Sequence, residues 1–446
     1  MRDRLKGALV VVTLLLTVAA RAQSGPEPAS FTLGNGLRVI VQEDHRAPVI
    51  VTQVWYRVGS ADEPSGLTGI SHVLEHMMFK GTAKVPTGEF SRLVAHFGGD
   101  DNAFTSDDYT YYQQDQVADR LGLALELEAD RMTHLRFDAG EFASELKVVM
   151  EERRLRTDDN PQALAFERFK AMAYPSSPIR APIIGWMRDL ETLTLSDVRD
   201  WYQRWYTPNN AVLVVVGDVT PAQVRTQAEK YFGAIPSRPL PRRAVVRELP
   251  EPGERSLTLR LGGQVPMLYL GFNLPSAGSV QGNDDAPALR LLAGVLDEGI
   301  SARLERRVVR TGKAAGIRSG YDMLARGDTL LTLTGVPAEK QSLADLRGAI
   351  LDEVWRLRDE LATPEEIQRV LANITSQEVF SRDDIDDQAG LLGRLASSGL
   401  PLGLQGDILR RLGEVTPEQL RDVARRYLQP ARLSTLFLEV QQGGGQ

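Results

Sequence analysis

Apolar and polar positions along this chain repeat with two different periods, and the periods come in blocks. Phe31 to Gln42 and Val49 to Val58 are rich in β-branched and aromatic residues. They predict strands, and Gly34-Asn35-Gly36 supplies a hairpin turn inside the first run. Helical spacing then takes over around Gly69 to Met78, Thr87 to Phe97, Ala118 to Arg131 and Glu141 to Arg156. The order returns later. Ser256 to Phe272 predicts strands, followed by helices near Ala286 to Leu296, Ser342 to Leu361 and Pro364 to Phe380. Strand blocks beside helix blocks predict an α+β fold of mainly antiparallel sheets layered with helices.

The two halves also share residues. Val198-Arg199-Asp200, Arg204, Trp205 and Pro208 recur as Leu420-Arg421-Asp422, Arg426, Tyr427 and Pro430, at a constant offset of 222. Thr194 and Thr416 open the helix in each copy, and an apolar strand follows each proline. Between the copies, Ile235 to Gly253 carries Pro236, Pro239, Pro241, Pro250 and Pro252, a composition that resists helix and central strand. At the N-terminus, Arg2, Arg4 and Lys6 precede the apolar run Ala8 to Ala19 and then Ala20-Arg21-Ala22. That is the pattern of a cleaved secretory signal, and the run is shorter than the ~20 residues of a membrane span. The expected organisation is a signal peptide over 1–22, a metal-binding domain over 23–234, a linker over 235–255 and a homologous domain over 256–446. The expected location is the periplasm, with no membrane span after cleavage.

Composition narrows the chemistry. The 446 residues carry a net charge of −7, which lacks the basic footprint of a nucleic-acid binder. There is no cysteine, so any metal site must use His, Asp or Glu. All five histidines precede residue 135, which confines a histidine-based centre to the first half. His45, His96 and His134 read as turn or helix-end residues, and Arg153, Arg154 and Arg156 as a solvated helix end.

His72-Val73-Leu74-Glu75-His76 is an HxxEH sequence. On a helix, positions i and i+4 lie about 40° apart, so both imidazoles face one way, a pairing that suits Zn²⁺. Glu75 falls about 60° from His72 on the other side, within reach of a metal-bound water as general base. A catalytic zinc takes three protein ligands. The segment Glu141 to Arg156 is the best source of the third. Glu145 and Glu152, seven apart, project from nearly one face, which also carries Val148 and Val149, while Glu151 points about 100° away. Glu152 is therefore the expected ligand, and Glu145 the group that orients a ligand histidine.

The surrounding motifs resemble the pitrilysin family of inverzincin metallopeptidases, in its processing-peptidase and short bacterial branch. Gly69 to Thr82 resembles the family's zinc helix and following turn. Gly98-Gly99-Asp100-Asp101-Asn102-Ala103-Phe104-Thr105 resembles the strand beside the active site, and Val148-Val149-Met150-Glu151-Glu152 the segment ending in the third ligand. The resemblance implies two homologous α+β domains, one Zn²⁺ per chain on His72, His76 and Glu152, and peptide hydrolysis inside a chamber. Substrate would add as a strand beside Asn102 and Ala103. Self-sufficient relatives carry an Arg and a Tyr seven residues apart in the second half. Here Val309 and Gly316 take those positions, with Arg310 and Tyr321 nearby but eleven apart. The expectation is a metal-bearing subunit whose homologous, zinc-free partner supplies the pair, a homodimer being the other assembly. A retired zinc-binding scaffold and a peptide-binding chaperone are the alternative functions.

Overall fold

The computed structural model describes residues 27–243, 247–263, 265–279 and 285–441. The expected signal peptide over 1–22 lies outside these residues. The first half runs β1 (Ala29–Thr32), β2 (Arg38–Glu43), β3 (Val49–Tyr56), α1 (Ile70–Met77), α2 (Glu89–His96), β4 (Asp100–Thr105) and β5 (Thr110–Val117). It continues through α3 (Leu121–His134), α4 (Ala139–Arg153), α5 (Pro161–Ala173), α6 (Met187–Thr192), α7 (Leu195–Trp205), β6 (Ala211–Gly217) and α8 (Pro221–Phe232). The second half runs β7 (Arg255–Leu261), β8 (Met267–Leu274), α9 (Asp285–Asp297), β9 (Ala314–Gly320), β10 (Thr329–Pro337) and α10 (Leu343–Asp359). Then come α11 (Pro364–Ser381), α12 (Ile385–Ser397), α13 (Leu404–Gly413), α14 (Pro417–Tyr427) and β11 (Leu433–Val440).

The strands form two sheets of one topology. The first has the order β1-β2-β6-β3-β5-β4 and the second β7-β11-β8-β10-β9. Matching β2 to β7, β6 to β11, β3 to β8, β5 to β10 and β4 to β9 makes the orders identical apart from β1, which extends the first sheet only. The directions agree as well. β2–β6 and β7–β11 are parallel, and the other neighbours are antiparallel. The residues that recur at an offset of 222 lie on α7 and α14 and, with Pro208 and Pro430, in the turns that lead from them into the matching central strands β6 and β11. Each helix opens with a capping box, Thr194 with Asp197 and Thr416 with Gln419.

One face of each sheet packs on its own half. Val54, Tyr56, Leu213 and Val215 meet Ile70, Val73, Leu74 and Met77 of α1 in the first core. The opposite face is covered by a helix from the other half. On the first sheet, Ala389, Leu392 and Ala396 of α12 sit on Ile40, Trp55, Val212 and Val214. On the second, Ala165, Phe169 and Ala173 of α5 sit on Tyr269, Leu436 and Leu438. The fit is close: a Cβ added at Gly393 would lie 1.9 Å from Trp55 Cε2. This reciprocal exchange joins the halves through buried apolar surface.

The proline-rich segment between the halves has no helix or strand among its described residues, yet it is tied down. Asn209 Nδ2 donates to the Arg238 carbonyl (2.8 Å), Arg243 lies over the Trp205 ring, and the Glu248 carboxylate accepts from the amides of Ser176 and Ser177. No helix among the described residues is long and apolar enough to cross a membrane.

Candidate metal centre

The centre is built from α1 and α4, and the sequence fixes the start of α1 from two sides. Gly69 precedes the helix at φ +87° and offers no side chain to cap it. Glu63 does that work instead. Its carboxylate accepts from the amides of Gly69 (2.7 Å) and Ser71 (2.9 Å), satisfying donors that a helix N-terminus leaves free. Gly185, also at a left-handed φ of +87°, packs backbone to backbone on Gly69. A Cβ at Gly185 would lie 2.4 Å from the Thr68 carbonyl oxygen and 2.7 Å from Gly69 Cα. The Gly185 carbonyl accepts from Arg153 Nη1 (2.8 Å), and Arg153 is the neighbour of Glu152. A two-glycine contact therefore links the start of α1 to the end of α4.

Helix α4 starts at Asp138, whose side chain caps the amides of Gly140 and Glu141. Phe142, Glu145, Val149 and Arg153 form its buried stripe, whereas Val148, expected on the same face, is exposed. Residue 148 lies about 100° from residue 149 around the axis, on the solvent side of the stripe. Glu152 sits at the stripe's margin and is half-buried. The helix ends at Arg153, short of the expected Arg156, and residues 154–158 form one wide π-turn. That turn brings Arg156 Nη1 back to Glu152 Oε1 at 2.6 Å.

Three donor atoms converge. Glu152 Oε2 lies 3.7 Å from His72 Nε2 and 3.5 Å from His76 Nε2. One ligand atom from each of the three residues fits within a 4.8 Å group, the one such group among the described residues. Metal–ligand bonds of about 2.0–2.2 Å in a tetrahedron imply donor separations of about 3.3–3.6 Å, so the set fits a zinc-sized ion. Burial, then the nearby His76 and Arg156, pushes His72 down to about 3, so its imidazole is neutral with a lone pair to give. His76 Nδ1 is 3.2 Å from Glu145 Oε2, and Glu145 Oε1 holds Lys80 Nζ at 2.7 Å.

Glu75 projects beside this group. Burial raises its carboxyl above the usual range, and a hydrogen bond from the Thr105 hydroxyl opposes that rise. Thr105 ends β4, the edge strand of the first sheet. Asn102 and Ala103 lie on the same strand, Asn102 exposed and Ala103 half-buried. In the second half, Val309 lies in a π-turn and Gly316 on β9. Arg310 turns to the Ile300 carbonyl (2.7 Å), and the half-buried Tyr321 donates its hydroxyl to the Pro275 carbonyl (2.7 Å). Of the other histidines, His45 bridges Asp218 and Glu43 at the surface, and His134 faces Asp130. Sequence reading missed Thr105, Lys80, Arg156 and Gly185. Lys80 carried a faint signal, four residues beyond His76; Gly185 carried none.

Comparison with known proteins gives the family. Residues 38–185 match the family described as insulinase (peptidase family M16), and residues 192–374 match the peptidase M16 inactive domain. The zinc protease PqqE of Helicobacter pylori is 30% identical over 443 residues, covering 98% of both chains. The chain belongs to peptidase family M16. The crystal structure of a protease from Helicobacter pylori superposes with a TM-score of 0.87 at 30% identity, over 93% of this chain and 99% of that one. The periplasmic protease PqqL of Escherichia coli shares the fold at 21% identity, with a TM-score of 0.75 over 93% of this chain and 48% of its own. Family and relatives are those of zinc metallopeptidases, and the range matched by the inactive domain, 192–374, contains no histidine.

Proposed function

We propose that this chain is a zinc-dependent metalloendopeptidase with one Zn²⁺ on His72, His76 and Glu152. The observation that carries the reading is the convergence of two imidazole nitrogens and one carboxylate oxygen beside a second carboxyl, that of Glu75. Zinc bound there would supply Lewis-acid polarisation of the scissile carbonyl and lower the pKa of a water. The protein's own residues do the rest. Glu145, held by Lys80, fixes the His76 ring. Arg156 occupies Glu152 Oε1 and leaves Oε2 toward the histidines. Glu75 takes a proton from the attacking water and passes it to the leaving amine; its raised pKa suits both steps. Substrate joins the exposed edge of β4 beside Asn102 and Ala103, where main-chain hydrogen bonds hold an extended peptide.

The second half offers no Arg–Tyr pair at the expected positions, and Arg310 and Tyr321 are engaged elsewhere. This favours a homologous, zinc-free partner subunit that completes the oxyanion site. The N-terminal pattern and the shared fold of a periplasmic protease favour a secreted, periplasmic enzyme. Metal analysis tests the ligand set. The parent should hold one zinc per chain, and His72→Ala, His76→Ala and Glu152→Ala should each lose it. Full zinc content in any of the three contradicts the assignment. Peptide hydrolysis with and without a zinc-free homologue tests the partner: full activity of the chain alone rejects it.

A further inference from the structure

A cleft of about 970 Å³ opens between the two halves. None of the four metal-centre residues lines it. Its walls come from the β4–β5 turn, Arg57 at the end of β3, the strap near Glu248, the end of β8 and the loop 322–329. Most charges in these walls are answered. Asp107 holds Lys170 (2.9 Å), and Asp108 accepts from the Arg326 amide (2.9 Å). Arg326 and Arg243 share Asp62, Arg394 holds Asp322, and Glu248 accepts from two amides.

Arg57 is different. Among the described residues, no carboxylate lies within ion-pair distance of it, and its buried Nε has no acceptor. Burial, then the neighbouring Arg326 and Arg38, hold its pKa below the usual arginine range; the Asp62 carboxylate, beyond ion-pair distance and already shared by Arg326 and Arg243, opposes that only weakly. Arg432, also in the wall, donates to the Asn273 carbonyl (3.1 Å) and lies over the Tyr427 ring; among the described residues no carboxylate lies within ion-pair distance of it. A guanidinium partly withdrawn from water is unfavourable unless an anion meets it, and its planar fork fits a carboxylate. The lining also includes apolar side chains, Ile179, Leu274, Pro275 and Leu324. The volume is that of a small-ligand site. The complementary ligand is one carboxylate on a short apolar body.

We propose that this cleft binds a short peptide ending in a free α-carboxylate, with Arg57 as the partner of that carboxylate. The ligand class rests on the peptidase reading. Each peptide bond split by water yields one new α-carboxylate and one new amine, so such peptides are what the enzyme would release. The site itself rests on the cleft and on Arg57.

Photo-crosslinking tests it on the full, zinc-loaded Glu75→Gln chain, which cannot consume the probe. The probe is N-acetyl-leucyl-benzoylphenylalanine, used as the free acid and as the C-terminal amide. The acid should label the cleft wall at Tyr109, Leu274 or Leu324, and the amide should label it at least about tenfold less, the factor for one lost charge-assisted hydrogen bond. Arg57→Gln should lose the wall labelling by a similar factor, and Arg57→Lys, which keeps the charge, should retain more of it. Removing an unpaired cation should leave the unfolding midpoint equal to the parent's or above it. Equal labelling by acid and amide, equal labelling of the parent and Arg57→Gln, or labelling confined to the metal centre overturns the proposal. Failure of the peptidase reading shows separately, as absence of cleavage by the unsubstituted chain, and does not alter the labelling outcome.

Discussion

Replacing Gly185 by alanine should disturb the metal centre without touching a ligand. The new methyl group would lie 2.4 Å from the Thr68 carbonyl oxygen, so the two segments must part by about 1 Å to reach ordinary contact. Alanine at φ +87° adds roughly 1 kcal/mol of backbone strain, and overpacking adds about 1–3 kcal/mol. Together the substitution stores about 2–4 kcal/mol. Relief moves either the start of α1, three residues before His72, or the loop whose carbonyl receives Arg153 beside Glu152. Both routes change the 3.5–3.7 Å spacing of the donors. If half of the strain falls on the centre, zinc affinity drops by about tenfold. Competition with a chromophoric chelator measures that loss, and thermal unfolding of zinc-loaded and chelated protein measures the rest. Unchanged zinc affinity together with an unchanged unfolding midpoint would refute the reasoning. Lost stability at full zinc affinity would show that the glycine pair does not set the ligand spacing.

Three further outcomes follow from single contacts. Thr105→Val removes the hydroxyl that lowers Glu75, so Glu75 should rise further and the acid limb of the kcat/KM profile should move to higher pH; an unmoved limb contradicts the contact's role. Lys80→Met frees Glu145 and should weaken zinc binding by about tenfold, measured by the same competition; parent affinity would mean that Lys80 does not support His76. Asp386 on α12 faces Asp115 on β5, with Gln113 Nε2 donating to both. Burial and the facing Asp115 push Asp386 up to about 7. The folded chain then keeps a proton that the unfolded chain releases near its ordinary pKa, about 4, so this stabilisation is complete below that value and is lost as pH rises through about 7. The unfolding midpoint should fall across that window, and Asp386→Asn should flatten the fall; equal slopes in parent and variant would contradict it.

The helix that carries His72, Glu75 and His76 was legible because its spacing is local. His72, Glu75 and His76 lie within one turn and a half of helix, where spacing alone sets direction. Glu152 needed more: the helical face narrowed the choice, and the family resemblance agreed. The face reading erred at Val148 because the buried stripe of α4 is centred toward Phe142 and Arg153, leaving residue 148 at its rim. The duplication was legible from α7 and α14, whose caps and following strands recur at a fixed offset. The helix exchange was not. Neither exchanged helix was among the expected ones: α12 and α5 both went unread, and a periodic apolar face would not in any case say which sheet receives it. The Gly69–Gly185 contact joins positions 116 apart in sequence, and the Thr105 bond to Glu75 depends on how β4 lies beside α1. Such contacts arise from tertiary packing and leave no local period.

The central claim is that Glu75 is the general base beside a zinc held by His72, His76 and Glu152. The most direct test is the peptide-cleavage rate of Glu75→Gln, with zinc content measured on the same sample and the partner subunit supplied if the parent requires it. Glutamine keeps the size and the contact with Thr105 but cannot accept the proton. The account predicts parent zinc content and a cleavage rate reduced by at least about a hundredfold. Cleavage at the parent rate by a fully zinc-loaded Glu75→Gln chain would contradict it.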